Sequence, residues 1–140
     1  MKTKILAIAV GISVMAAVPA LAAEHSIPTA PKDYLGMNSP LKVKKDVLER
    51  GEKVYERKCK KCHGANGDGK GEASDKLVIK PASFSAPGYL KGRADGQLFF
   101  ITEKGSPNTD MEAFGPGSET SLSKDDIWSV IAYLRKTFTK

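Results

Sequence analysis

The residues best equipped for chemistry stand together: Cys59, Cys62 and His63, in the run "KCKKCHGANGDG" from Lys58 to Gly69. They are the only two cysteines and one of the two histidines of the sequence. Two thiols with two residues between them can act as a redox pair, hold a soft metal or carry a covalent group. A thioredoxin-like pair belongs at a strand-to-helix junction, and no parallel βαβ pattern surrounds this one. Zinc wants four ligands, and only the distant His25 could join these three. A plain disulfide is chemically possible but leaves His63 without a role. Cys-x-x-Cys-His is the attachment motif for c-type haem: both thiols add across the vinyl groups while the imidazole turns under the iron. Covalent haem c, with iron on His63, is therefore the expected chemistry.

The sixth iron position separates an electron carrier from a protein that binds a small ligand. Beyond the first 22 residues the methionines are Met37 and Met111. Met111 lies in the loop "GSPNTDMEAFG", between two expected helices, from which it can reach the haem face opposite His63. Met37 stands upstream in a proline-rich stretch and reads as a packing residue. His25 would instead give a bis-histidine site, and an open sixth position is the remaining alternative. The glycines after His63 form neither a calcium loop, because Lys70 stands where a ligand is needed, nor a strand–GxGxxG–helix unit. They read as tight turns beside the ring.

Three helices must position these groups. Val43, Val47, Leu48, Gly51, Val54 and Tyr55 recur at helical spacing, which predicts a helix from about Lys44 to Lys60. Gly51 costs roughly 1 kcal/mol relative to alanine in mid-helix, a cost that makes sense if a second helix approaches closely there. A shorter helix starts at Asp95, carries Leu98, Phe99 and Ile101, and ends at Gly105. The last begins with a Ser123 cap and acidic first turn, then presents Ile127, Val130, Ile131 and Leu134. Long glycine-rich connections, 64–76 and 105–122, leave too little apolar surface for a self-sufficient core. A large flat apolar cofactor supplies what is missing. No segment from Lys44 onward alternates as a strand.

The first stretch is of another kind. Lys2 and Lys4 precede an apolar run from Ile5 to Val18, then Pro19 and Ala20-Leu21-Ala22, the pattern of a secretory signal. The run falls short of the ~20 apolar residues of a membrane span, although an uncleaved signal could still tether the chain. No cysteine at the cleavage point suggests a lipid anchor. The expected layout is a signal over 1–22, a proline-rich arm over 23–43 that lies on the domain, and a haem domain over 44–140. Export places the chain in an oxidising, periplasmic space. The sequence carries a net charge of +6, of which the signal removes only Lys2 and Lys4. The remaining positive charge favours acidic protein partners or solubility. Nucleic acid is disfavoured by the compartment and by the lack of an aromatic-rich basic motif. Lys44, Lys45, Lys53, Arg57, Lys58, Lys60 and Lys61 form either a solvated helix face or a docking surface for an acidic redox partner.

Taken together, "CKKCHGANGDGKG", "DGQLFFITEKG" and "LSKDDIWSVIAYLR" closely resemble the class I cytochromes c, small bacterial monohaem proteins, from Val47 to Phe138. The resemblance implies an all-α fold of three to five helices and long loops around one covalent haem, and an electron carrier rather than an enzyme. It makes His63 the proximal and Met111 the distal iron ligand, with Cys59 and Cys62 as thioether anchors. It packs Gly51 and Tyr55 against the last helix near Trp128 and Tyr133. It gives Pro81, in "KPASF", the carbonyl that accepts the imidazole proton. One departure stands out: the family has proline after the distal methionine, whereas Glu112 follows Met111 here. That removes a stiffening residue and puts a carboxylate where it favours oxidised iron. A free carrier, monomeric in solution, and an electron-transfer subunit of a larger periplasmic oxidoreductase both suit the sequence.

Overall fold

The computed structural model describes residues 27–140. The expected signal segment and His25 lie outside the described residues. The described chain is helical without strands: α1 (Lys32–Leu35), α2 (Lys45–Val54), a π turn (Tyr55–Cys59), α3 (Lys60–His63), a 3-10 turn (Ser74–Lys76), α4 (Asp95–Lys104) and α5 (Lys124–Phe138). Among the described residues no helix is long and apolar enough to cross a membrane.

The segment expected to be one helix from Lys44 to Lys60 runs on to His63 and is interrupted by the π turn. There the Lys60 N–H donates to the Tyr55 carbonyl, five residues back. The wider turn shifts the register of the helical run before Cys62 and His63, while Cys59 still packs against the core that holds Val54 and Tyr55.

Helices α2 and α5 cross at Gly51. A Cβ there would lie 2.1 Å from the Ser129 carbonyl oxygen and 2.8 Å from the Tyr133 Cβ. No other residue admits this approach, and it seals the centre of the molecule. Val54 and Ile127 are fully inaccessible, and Tyr55, Phe99, Val130 and Ile131 nearly so. At roughly 1.5–3 kcal/mol for each large apolar side chain, this burial outweighs the propensity cost of one glycine. Helix α4 joins the core through Phe99, whose ring lies 4.4 Å from that of Trp128.

The ends of α5 are firmly held. Ser123 Oγ accepts from the Asp126 N–H at 3.1 Å, and the Asp126 carboxylate accepts from the Ser123 N–H at 3.0 Å, a reciprocal cap. Arg50 on α2 donates to that carboxylate at 2.8 Å. In the last turns, Arg135 donates to Asp95 and to the carbonyls of Leu90 and Arg93. One guanidinium thereby ties the start of α4 and the loop before it to α5.

Residues 27–43 are less irregular than their composition suggests, since they contain the α1 turn. Gln97 on α4 accepts from the Ala30 N–H at 2.8 Å and donates to the Pro28 carbonyl at 2.8 Å. The Tyr34 hydroxyl donates to Glu103 at 2.5 Å.

Candidate functional site

Cys59 closes the π turn, and Cys62 and His63 occupy the last turn of the same helical run. Both cysteines are free of any disulfide. This is the carbonyl end of a helix, where the dipole disfavours a thiolate. Burial pushes the Cys59 thiol up to about 12, and the neighbouring Cys62 adds to the rise. A redox-active pair requires the opposite shift. A four-ligand zinc site fails as well, since among the described residues no three His, Cys, Asp or Glu side chains cluster around a common point.

His63 is buried, and its ring stacks on Phe84 with centroids 4.4 Å apart and planes 18° from parallel. Its Nδ1 lies 3.0 Å from the Ala82 carbonyl oxygen. A carbonyl can only accept, so the proton sits on Nδ1 and the Nε2 lone pair is the one available to a metal. Burial lowers the His63 pKa, and the bond to Ala82 opposes that effect without reversing it. A neutral imidazole with a committed Nδ1–H is the form a metal ligand requires.

The acceptor corrects the sequence-based expectation by one residue, because Ala82 and not Pro81 receives the proton. The Pro81 carbonyl faces the glycine loop instead, where a Cβ on Gly69 would lie 2.5 Å from its oxygen. With φ of +76°, Gly69 needs both the left-handed backbone and the missing side chain. Its N–H donates to the His63 carbonyl at 2.9 Å. The loop is thus stitched to both sides of the site, and the Tyr55 hydroxyl fixes its start by donating to the Gly64 carbonyl at 2.7 Å.

Met111 is half-buried against the same core that receives Cys59, Phe84 and Met37. Its loop is closed on itself: the Ser106 N–H donates to the Met111 carbonyl at 2.8 Å, and the Met111 N–H donates to Thr109 Oγ1 at 3.1 Å. The N–H groups of Phe114 and Gly115 donate to the Thr102 and Glu103 carbonyls, both at 3.0 Å, so the loop hangs from the end of α4. Glu112 is exposed. Met37 is packed against the same core.

These donors fit a c-type haem: two unbonded thiols, an imidazole in the ligating tautomer, and a thioether on the same apolar core. The sequence matches the cytochrome c family over residues 48–138.

The chain belongs to the cytochrome c family.

Its fold is accordingly the all-α cytochrome c fold and its cofactor haem c, with Cys59 and Cys62 fitting the haem-binding motif. Haem-based electron transfer follows from the family. Among solved structures, a chain of the reducing HAO-like protein complex of Kuenenia stuttgartiensis matches with a TM-score of 0.62 and 26% identity. The match covers 76% of this cytochrome and 49% of that chain. Cytochrome CL from Methylophaga aminisulfidivorans matches with a TM-score of 0.49 and 23% identity, over 66% of this chain and 56% of its own. This cytochrome thus spans about half the length of each. Among curated proteins none matches the sequence.

Ala82 and Phe84 were missed by sequence reasoning. A backbone acceptor has no residue signature, whereas the aromatic two residues beyond it in "KPASF" was a visible signal for a ring partner.

Proposed function

We propose that this cytochrome is an exported, periplasmic one-electron carrier with His63 and Met111 as axial ligands and Cys59 and Cys62 as thioether anchors. The observation that carries the reading is the His63 Nδ1 contact with the Ala82 carbonyl at 3.0 Å, which leaves Nε2 for iron. When bound, the haem iron supplies the electron chemistry. The chain holds the imidazole in one tautomer, stacks it on Phe84, and offers a thioether from a loop closed by its own hydrogen bonds. Histidine–methionine ligation favours a relatively high potential. No substrate bond is made or broken, so the protein acts as a carrier and not as an enzyme.

Replacing Met111 with alanine tests the ligand set. The oxidised wild type should show the methionine–Fe(III) charge-transfer band and bind no carbon monoxide when reduced. Met111→Ala should lose the band and gain carbon monoxide binding. An unchanged spectrum would mean that another group, or none, holds the sixth position.

Service as the electron-transfer subunit of a larger periplasmic oxidoreductase is the second reading. It is favoured by the match to a chain of an HAO-like complex that is about twice as long as the matched segment. Persistent co-migration with an oxidoreductase in a native extract supports it, and a monomer-sized species supports the free carrier.

A further inference from the structure

The segment before the haem domain makes specific polar contacts with one helix, and that helix carries the Met111 loop. Gln97 reads two backbone groups of the segment, the Ala30 N–H and the Pro28 carbonyl, each at 2.8 Å. One turn later Tyr34 lays its ring against Phe99 and Phe100, with centroids 6.4 and 5.0 Å apart. Its hydroxyl donates to Glu103 Oε2 at 2.5 Å. Glu103 is buried, which is rare for a carboxylate without partners, and Lys104 lies 3.2 Å from the same oxygen.

Glu103 is also the hinge of the Met111 loop. Its carbonyl accepts from the Gly115 N–H at 3.0 Å, and its Cγ would lie 2.5 Å from a Cβ on Gly115. One residue therefore meets the N-terminal segment with its carboxylate and the returning end of the loop with its backbone and side-chain stem. The Phe114 N–H, bonded to Thr102 at 3.0 Å, completes the attachment.

We propose that residues 28–34 act as a strap which, through Tyr34, Gln97 and Glu103, holds the 105–115 loop in place and thereby sets how firmly Met111 occupies the sixth iron position. This rests on Met111 being the axial ligand. Tyr34 and Glu103 are positioning residues that act through the loop hinge. Loss of one hydrogen bond to a charged acceptor changes a local opening equilibrium by about tenfold or more, and that opening is what an external ligand must wait for.

The test uses the full haem-loaded protein. Tyr34→Phe removes the hydroxyl and keeps the ring on Phe99 and Phe100, while Lys104 continues to balance the Glu103 charge. Gln97→Ala releases the other end of the strap. Arg50→Ala, which cuts an exposed contact between α2 and α5, is the control for simple destabilisation. Cyanide binding to the oxidised protein should quicken about tenfold in Tyr34→Phe and Gln97→Ala and stay at the wild-type rate in Arg50→Ala. Amide exchange at Phe114 and Gly115 should quicken in the same two variants, with helix content unchanged. Wild-type cyanide and exchange rates in both strap variants would overturn the proposal, as would equal acceleration in Arg50→Ala. An oxidised spectrum unaffected by Met111→Ala would overturn the ligand clause alone, and the amide exchange would still decide whether the strap holds the loop.

Discussion

His63 has two ring nitrogens with separate tasks, and the chain assigns one of them by geometry: Nδ1 faces the Ala82 carbonyl at 3.0 Å. The Cys59 thiol is constrained as well, since burial raises its pKa, the opposite of what a redox nucleophile needs. Cys59→Ala and Cys62→Ala should each keep haem through the remaining thioether, and the double variant should release it under denaturing conditions. Denaturing mass spectrometry reads this directly, because a chain bearing haem is heavier by one haem. Phe84→Ala removes the surface on which His63 stacks and should destabilise the folded protein by about 2 kcal/mol, less than a fully buried phenylalanine costs; a denaturant titration measures it. The Cys59–Cys62–His63 motif was legible because a covalent attachment fixes residue types at a fixed spacing. Ala82 was not, because any residue offers a carbonyl, and residue type does not say which of two successive ones faces the imidazole.

At the scale of elements, the crossing of α2 and α5 is the joint on which the rest depends. Gly51→Ala should destabilise the protein by about 1–3 kcal/mol despite the better helix propensity of alanine, because the new methyl meets the Ser129 backbone. On an open helix face the same change would stabilise, so the sign of the shift in denaturation midpoint is the test. The cap of α5 adds a pH dependence. Burial pushes the Asp126 carboxyl up, but hydrogen bonds from Arg50 and Ser123 outweigh it and hold its pKa below the ordinary value of 3.8. Its contribution is therefore complete above that pH and is lost as pH falls through the lower folded value. Asp126→Asn should flatten this acid limb of stability against pH. Helices α4 and α5 were readable from apolar periodicity and end signals, and Gly51 from its anomaly in mid-helix. The π turn was not, since no residue type marks it. Nor were the bonds from Gln97 and Glu103 to the N-terminal segment, which join residues 67 to 69 positions apart.

The molecule as a whole is basic, with a net charge of +6 and a pI near 9.3. Lys53, Arg57 and Lys61 are exposed along the helical run that carries the haem motif. An acidic redox partner would be steered to that face, and salt would screen the attraction. Electron transfer to such a partner should slow about tenfold between low and physiological ionic strength, read by stopped-flow reduction; a rate independent of salt would show that the lysines only solvate the helix. The proposed carrier holds one electron on haem between His63 and Met111. A redox titration of the haem-loaded protein, with the optical spectrum recorded throughout, decides this. A single reversible one-electron transition is expected, with the methionine–Fe(III) band present in the oxidised form alone. A transition without that band, or reduced protein that takes up carbon monoxide, would contradict it.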